Sequence, residues 1–394
     1  MLQPIWGDLV IPFTLLLGWL LGELGQRWLS IPRISSYGLV GIGIAIIMNI
    51  SKSLFQVEDL WSLTLLAQIA FGLLLFELGY RVNLAWLRHN PWLTLNALVE
   101  SAATFIAIFC VAQFFDLAPV PALLLASIAT ATSPLTILPV VNEMKSGGQV
   151  TERSLHLSAI SCVFAIVAFN AVVGYWVLAN AGDTFHAIWN SLIVLFVSAG
   201  LGVLFGVVLP RLLDLADTNE RQSTVAFALA VAGLILVTHS LHFSPVLATL
   251  VFGLMARHHR NVRHQTQPNF GVLGDVLIIV LFAHIGSRLQ LGTLFDGALL
   301  AIAVILVRYL VKSSVILGFA RVSGLSLKKG VLTGLALMPT ASFGILLLEL
   351  AAQRGLTFNA TMSAICGLLL LVDLVSPIVL RRILVLAGEA PKVN

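Results

Sequence analysis

The stretch LVRYLVKSSV, residues 306–315, places Arg308 and Lys312 four residues apart inside a long apolar run. At helical spacing the two side chains share one face. A charge at the centre of a membrane helix costs about 2.5–3.5 kcal/mol on insertion scales, so a pair needs a negative partner or an array of oxygens. Such a pair can neutralise a buried carboxylate, hold an anion, or cap exposed carbonyls. Arg308 keeps its charge in any case, whereas a lysine deprived of its counter-ion can release a proton, which makes Lys312 a candidate coupling group. The acids that could answer are Glu23, Glu77, Glu100, Asp275, Glu349 and Asp373. Glu77, Asp275 and Glu349 fall near predicted helix ends, where facing water is the default. Glu100 and Asp373 lie deep in their segments and are the candidates to face Arg308.

A second set of residues concerns the backbone. SIATATSPLTILPVV carries Thr130, Thr132, Ser133 and Pro134 in mid-segment. Pro134 lacks a backbone donor and pushes Ser133 away from helical angles. TGLALMPTASFGILLL does the same later, with Gly334, Pro339, Thr340, Ser342 and Gly344. One such break reads as a kink mended by neighbouring helices. A matched pair seven segments apart predicts inverted repeats whose discontinuous helices cross at the midplane, where half-helix ends offer N–H and C=O groups to ions.

The elements that must position these residues are transmembrane helices. Of 394 residues 59% are hydrophobic and 10% charged, where soluble domains carry about 25% charged. Thirteen segments are predicted, roughly 8–29, 36–50, 60–79, 91–115, 119–142, 154–179, 186–213, 222–241, 244–257, 271–289, 293–321, 328–353 and 357–383. The second and ninth are short for a full span and are expected to be tilted, re-entrant or supported by neighbours. Placing the N-terminus outside puts seventeen of the 22 Lys and Arg on the inner side, three outside (Lys52, Arg288, Arg354) and two within the membrane. That asymmetry predicts N-out, C-in. The start MLQPIWGDLV has no basic region, so the first apolar segment is expected to be a retained helix. With short polar gaps and a short tail after Leu386, no soluble regulatory domain is expected.

The net charge of +4 is scattered through short loops and does not point to nucleic acid. Cys110, Cys162 and Cys366 sit in apolar runs and are expected to pack as small hydrophobes. His239, His242 and His284 have no ligand spacing, and RHHRNVRH reads as a cytoplasmic loop. GWLLG and GVLFG have the small-xxx-small spacing of close helix contacts. With no metal spacing and no nucleophile–base set, neither a metal, a cofactor nor an enzyme is expected.

The chain resembles the monovalent cation:proton antiporter superfamily, especially its sodium/proton and Kef-type exchangers. The likeness runs through LGWLLGELGQRWLSIPRISSYGLVGIGI, IAFGLLLFELGYRVNL, ATATSPLTILPVVNEMKSGGQVTERSLHLSAI, LHFSPVLATLVFGLMARHHRN and GLALMPTASFGILLLELA. It implies an all-helical membrane transporter in one unit, 1–394, of about thirteen helices. Core helices near 60–179 and 271–383 would interleave with dimerisation helices near 8–50 and 186–257, in a homodimer working by elevator-like alternating access in the bacterial inner membrane. The resemblance also implies one or two ion-binding aspartates in the sixth segment. There the matching stretch HLSAISCVFAIVAF has Ser161 and Cys162, while Lys312 matches a lysine that pairs with the first aspartate in many members. In the third segment Arg81 follows Gly-Tyr where the family commonly has an acid.

The expected site is therefore Thr132, Ser133, Pro134, Ser158, Ser161, Cys162, Arg308, Lys312, Pro339 and Thr340. Three functions are open: exchange of a monovalent cation for protons with a displaced acid, transport of a small anion or carboxylate on Arg308 and Lys312, or a transport-inactive sensor or subunit. Lys312 is expected to lie nearer the crossing than any carboxylate; a direct bridge to Glu100 or Asp373 would defeat the anion version.

Overall fold

The computed structural model describes residues 61–181, 184–216, 220–241, 243–259, 297–339 and 360–391, with 16–25, 32–40 and scattered positions besides. Twelve helices fall in the continuous stretches: α1 Trp61–Arg81, α2 Leu84–His89, α3 Pro91–Phe114, α4 Pro119–Thr130, α5 Pro134–Met144, α6 Gln149–Ala181, α7 Thr184–Leu215, α8 Glu220–Ser240, α9 Pro245–His259, α10 Ala298–Ala320, α11 Leu327–Ala336 and α12 Ala360–Leu386. Six of the described helices are long and apolar enough to cross a bilayer.

Proline sets where several of them begin. Pro91, Pro119 and Pro134 stand at the first helical position of α3, α4 and α5, where the missing N–H has no intrahelical partner to lose. Ser326 opens α11 by accepting a hydrogen bond from Lys329 N at 3.3 Å. The expected fifth segment is two helices, α4 and α5, because Pro134 restarts the chain after a non-helical step. The short α2 was not expected. Asn83 caps it through Trp86 N, and six residues are too few to carry a readable period.

Helices α1, α7, α8 and α9 pack together, and α3, α4, α6, α10, α11 and α12 form the other main set of contacts. The short ninth segment is helix α9, largely buried and gripped by glycines. A Cβ on Gly202 would lie 2.4 Å from Ala248 O, one on Gly79 2.3 Å from Leu250 O, and one on Gly253 2.0 Å from Phe76 O. The backbones of α1, α7 and α9 meet because no side chain stands between them. GVLFG thus marks a close helix contact, with Gly206 also against α9.

Polarity runs inward. Ile106 on α3, Phe196 on α7, Leu229 on α8 and Leu299 on α10 are exposed, while Asn96, Glu100, Ser101 and Thr104 of α3 and Arg308 and Lys312 of α10 are buried. A helix facing lipid turns its apolar side out and keeps ionisable groups inside the bundle. Cys110 corrects the expectation of burial, for it lies on the exposed side of α3; Cys162 is buried, and the Cys366 side chain lies outside the described residues.

Candidate functional site

The first break is a short extended step. Ala131 (φ −62°, ψ 141°) ends α4 and Ser133 (φ −65°, ψ 112°) precedes α5, as the residue before proline is driven to do. The second break follows Ala336, where Leu337, Met338 and Pro339 leave the helix. The two meet directly: Ser133 N donates to Pro339 O at 3.0 Å. Thr340 lies outside the described residues.

Arg308 fills this crossing. Its Nε donates to Ala129 O at 2.7 Å, Nη1 to Leu337 O at 3.0 Å and Met338 O at 2.8 Å, and Nη2 to Ala131 O at 3.0 Å and Pro339 O at 3.1 Å. A guanidinium presents five N–H donors in a fixed fork and no acceptor, which suits it to converging carbonyls. These are the groups a helix end leaves unpaired. For Arg308 the sequence left open an acid, Glu100 or Asp373, and the capping of carbonyls at the broken helices. The described contacts make it a cap on both breaks, and the Asp373 side chain lies outside the described residues.

Lys312, one turn further along α10, is bonded to Glu100 Oε1 on α3. It also donates to Thr132 Oγ1 at 3.3 Å. Lys312 is 1% exposed and Glu100 0%. This corrects the expectation that Lys312 would lie nearer the crossing than any carboxylate, and with it goes the anion version. Helix α3 packs along α10 and brings Glu100 to the same depth, and a buried ammonium settles on the carboxylate within reach because an unpaired buried charge is costly. Ser101 Oγ reaches the other carboxylate oxygen, Glu100 Oε2, at 3.4 Å.

Helix α6 supplies the polar lining of the first break. Ser158 Oγ and Cys162 Sγ donate to Thr132 O at 3.1 and 3.3 Å. Thr132 N donates to Ser161 Oγ at 3.2 Å, and Ser161 Oγ donates to Ser158 O at 2.9 Å. The three side chains thus satisfy the N–H and C=O of Thr132, which lies between the two helices, as buried backbone groups require. Thr132, Ser158, Ser161, Cys162, Arg308, Lys312 and Pro339 come together in one place, with Ser133 and Pro134 in the backbone that joins them.

A second buried polar group lies at the other end of α1. Glu77 accepts from Asn142 Nδ2 at 2.8 Å, Arg81 bonds Asn142, and Arg81 lies 3.6 Å from Glu77. Glu77 was expected to face water; it is buried because α5 covers this end of α1. Arg257 of α9 donates to Tyr80 O at 3.0 Å and Arg81 O at 2.7 Å, closing the C-terminus of α1. Asp275 and Glu349 lie outside the described residues, as do His242 and His284, and His239 is exposed. Among the described residues no three His, Cys, Asp or Glu are grouped to hold a metal ion.

Sequence reasoning missed Asn96 and Thr104. They lie four residues before and after Glu100 on the buried face of α3. Polar residues at that interval in an apolar segment were the available signal.

The fold has clear relatives. A family model described as sodium/hydrogen exchanger, transmembrane, matches residues 13–386. Two structures of the sodium proton antiporter MjNhaP1 from Methanocaldococcus jannaschii superpose over nearly the whole chain. The one at pH 8 gives a TM-score of 0.68 at 16% identity over 96% of each chain. The other, from an electron-microscopy map, gives 0.70 at 17% identity over 98% of this chain and 97% of that one. The Na(+)/H(+) antiporter ApNhaP of Aphanothece halophytica is 22% identical over 331 residues, which are 79% of this chain and 60% of that protein. With the family matched over residues 13–386 and the all-helical membrane fold shared, this chain belongs to the sodium/hydrogen exchanger family, a family of membrane transporters rather than enzymes.

Proposed function

We propose that the chain exchanges a monovalent cation for protons across the membrane, with Glu100 as the carboxylate that holds the cation and Lys312 as the group that gives up the proton. The observation that carries this is the Glu100–Lys312 pair, fully buried beside Thr132 of the first break. Ser161 and Cys162 stand where the resemblance places aspartates, and the acid comes from α3 instead.

The chemistry follows from charge. With Lys312 protonated and Glu100 ionised, the pair is neutral. A cation on Glu100 would add a positive charge to a low-dielectric site already holding Arg308 and Lys312, so its arrival favours loss of the lysine proton. Cation and proton therefore exclude each other, and exchange requires that exclusion. Arg308 takes no part in the titration. It holds the carbonyl ends of both breaks, so that the crossing moves as one piece.

In this reading α3–α6 and α10–α12 form the moving core, and α7–α9 belong to the fixed, dimer-forming part, in a homodimer. The core expected near 60–179 also includes α1, which packs against α8 and α9. The Lys and Arg asymmetry puts the N-terminus outside and the C-terminus in the cytoplasm of a bacterial inner membrane.

The test is dissipation of a pH gradient in proteoliposomes by sodium, lithium and potassium. Wild type responds to at least one of them, and Glu100→Gln abolishes the response. A folded, inserted wild type that answers none of these ions would leave the transport-inactive reading in its place. Cys162→Asp and Ser161→Asp, each in the Glu100→Gln background, are expected to restore exchange if only the position of the acid has moved.

A further inference from the structure

Resting on the exchange reading above, we propose that Asn96 and Thr104 are ligands of the transported monovalent cation. They flank Glu100 by one turn on either side of the same buried stripe of α3. At 1.5 Å rise per residue each lies about 6 Å along the axis from Glu100, within reach of an ion held on its carboxylate.

Asn96 Oδ1 and Thr104 Oγ1 belong to a small set of buried polar atoms without a hydrogen-bond partner among the described residues, the others being Ser35 Oγ, Arg81 Nε and Ser313 Oγ. Buried hydroxyls in apolar helices ordinarily satisfy themselves on the carbonyl one turn back. Thr130, Thr238, Thr249 and Thr333 do so here, at 2.8, 2.8, 2.9 and 2.8 Å. Thr104 makes no such bond. An orphaned oxygen in a native interior calls for a partner, and both orphans on α3 lie next to its one buried acid.

Their chemistry selects the partner. Amide and hydroxyl oxygens are hard, neutral donors, suited to an alkali cation. Once Lys312 has given up its proton, they surround one carboxylate of single negative charge, which a monovalent ion neutralises and a divalent ion overcompensates. Asn96 and Thr104 are about 12 Å apart along α3, so an ion on Glu100 is shared with one of them at a time. Asn96 serves the side of Glu100 toward Pro91, and Thr104 the side toward Phe114.

The experiment compares Asn96→Ala, Thr104→Val and Thr104→Ser with wild type and Glu100→Gln. Two readouts are used: the apparent KM for sodium, lithium or potassium in proteoliposomes, and the Tm in detergent with and without that cation. Asn96→Ala and Thr104→Val are expected to raise the KM by about tenfold or more and to shrink the cation-induced rise in Tm. Thr104→Ser keeps the hydroxyl and retains the wild-type KM. Thr104→Val also raises the Tm without cation, since it removes a buried unpaired oxygen. If both variants keep the wild-type KM and Tm response while Glu100→Gln loses exchange, the ligand assignment fails and the exchange reading stands. If Glu100→Gln exchanges as wild type, the reading itself fails.

Discussion

Arg308 and Lys312 look equivalent in the chain and do different work. The guanidinium spreads its donors over five carbonyls of two broken helices. An ammonium has three donors at one point, so Arg308→Lys must leave some of those carbonyls unpaired. Each buried orphan costs about 1–3 kcal/mol, and Arg308→Lys is expected to lower the Tm strongly and to abolish exchange. Lys312 serves one carboxylate. Lys312→Met leaves Glu100 buried without its cation, a loss of about 3–5 kcal/mol. The double variant Lys312→Met with Glu100→Gln removes both charges and is expected to recover much of that stability. A thermal double-mutant cycle measures it, and additive losses would contradict a direct pair. The partner of Lys312 was not legible in the sequence. Glu100 is 212 positions away, and depth within a segment narrows the choice of acid without saying which helices pack. The resemblance directed attention to α6, whose Ser158, Ser161 and Cys162 turn out to serve the Thr132 peptide.

Helix α9 tests how an element is held. Gly253 faces Phe76 O so closely that a Cβ would stand 2.0 Å from it, closer than any real contact, and the obstacle is backbone. Gly253→Ala must push α9 away from α1 and is expected to yield little folded protein. Gly200 and Gly233 lie within helices α7 and α8 with open space around them. There the same change is expected to stabilise slightly, by about 0.5–1 kcal/mol, because alanine loses less entropy in a helix. Yield and Tm of the three variants separate contact from propensity; equal effects would contradict the close packing. At this scale the sequence was more readable. Proline marks both breaks because its effect is local, and the Gly-xxx-Gly spacing marks a contact face. It names no partner for that face, and it does not show that Gly79 and Gly253 complete the grip from other segments.

The core is also fastened at one end by the stretch that follows α12. The Glu389 carboxylate accepts from Val150 N at 2.9 Å, Thr151 N at 2.8 Å and Thr151 Oγ1 at 2.9 Å, buried donors in the first turn of α6. An anion there is favoured by the helix dipole as well as by the bonds. Lys329, in the first turn of α11, lies 3.7 Å from the same carboxylate, and Gly147 N donates to Glu389 O at 3.1 Å. One residue thus joins α12 to α6 and to α11, the helix that leads into the second break. Arg153 of α6 adds a link to Ser323 Oγ at 2.9 Å, beside the end of α10. If these helices move together during exchange, loosening the joint should slow the movement and leave the ion site intact. Glu389→Ala is expected to lower stability by about 1–3 kcal/mol and to reduce the maximal exchange rate with the cation KM unchanged. Glu389→Gln keeps one acceptor oxygen and gives an intermediate effect. A KM that rises with either variant would mean that the joint shapes the site rather than the motion, and an unchanged rate would mean that the joint does not limit the movement of the core.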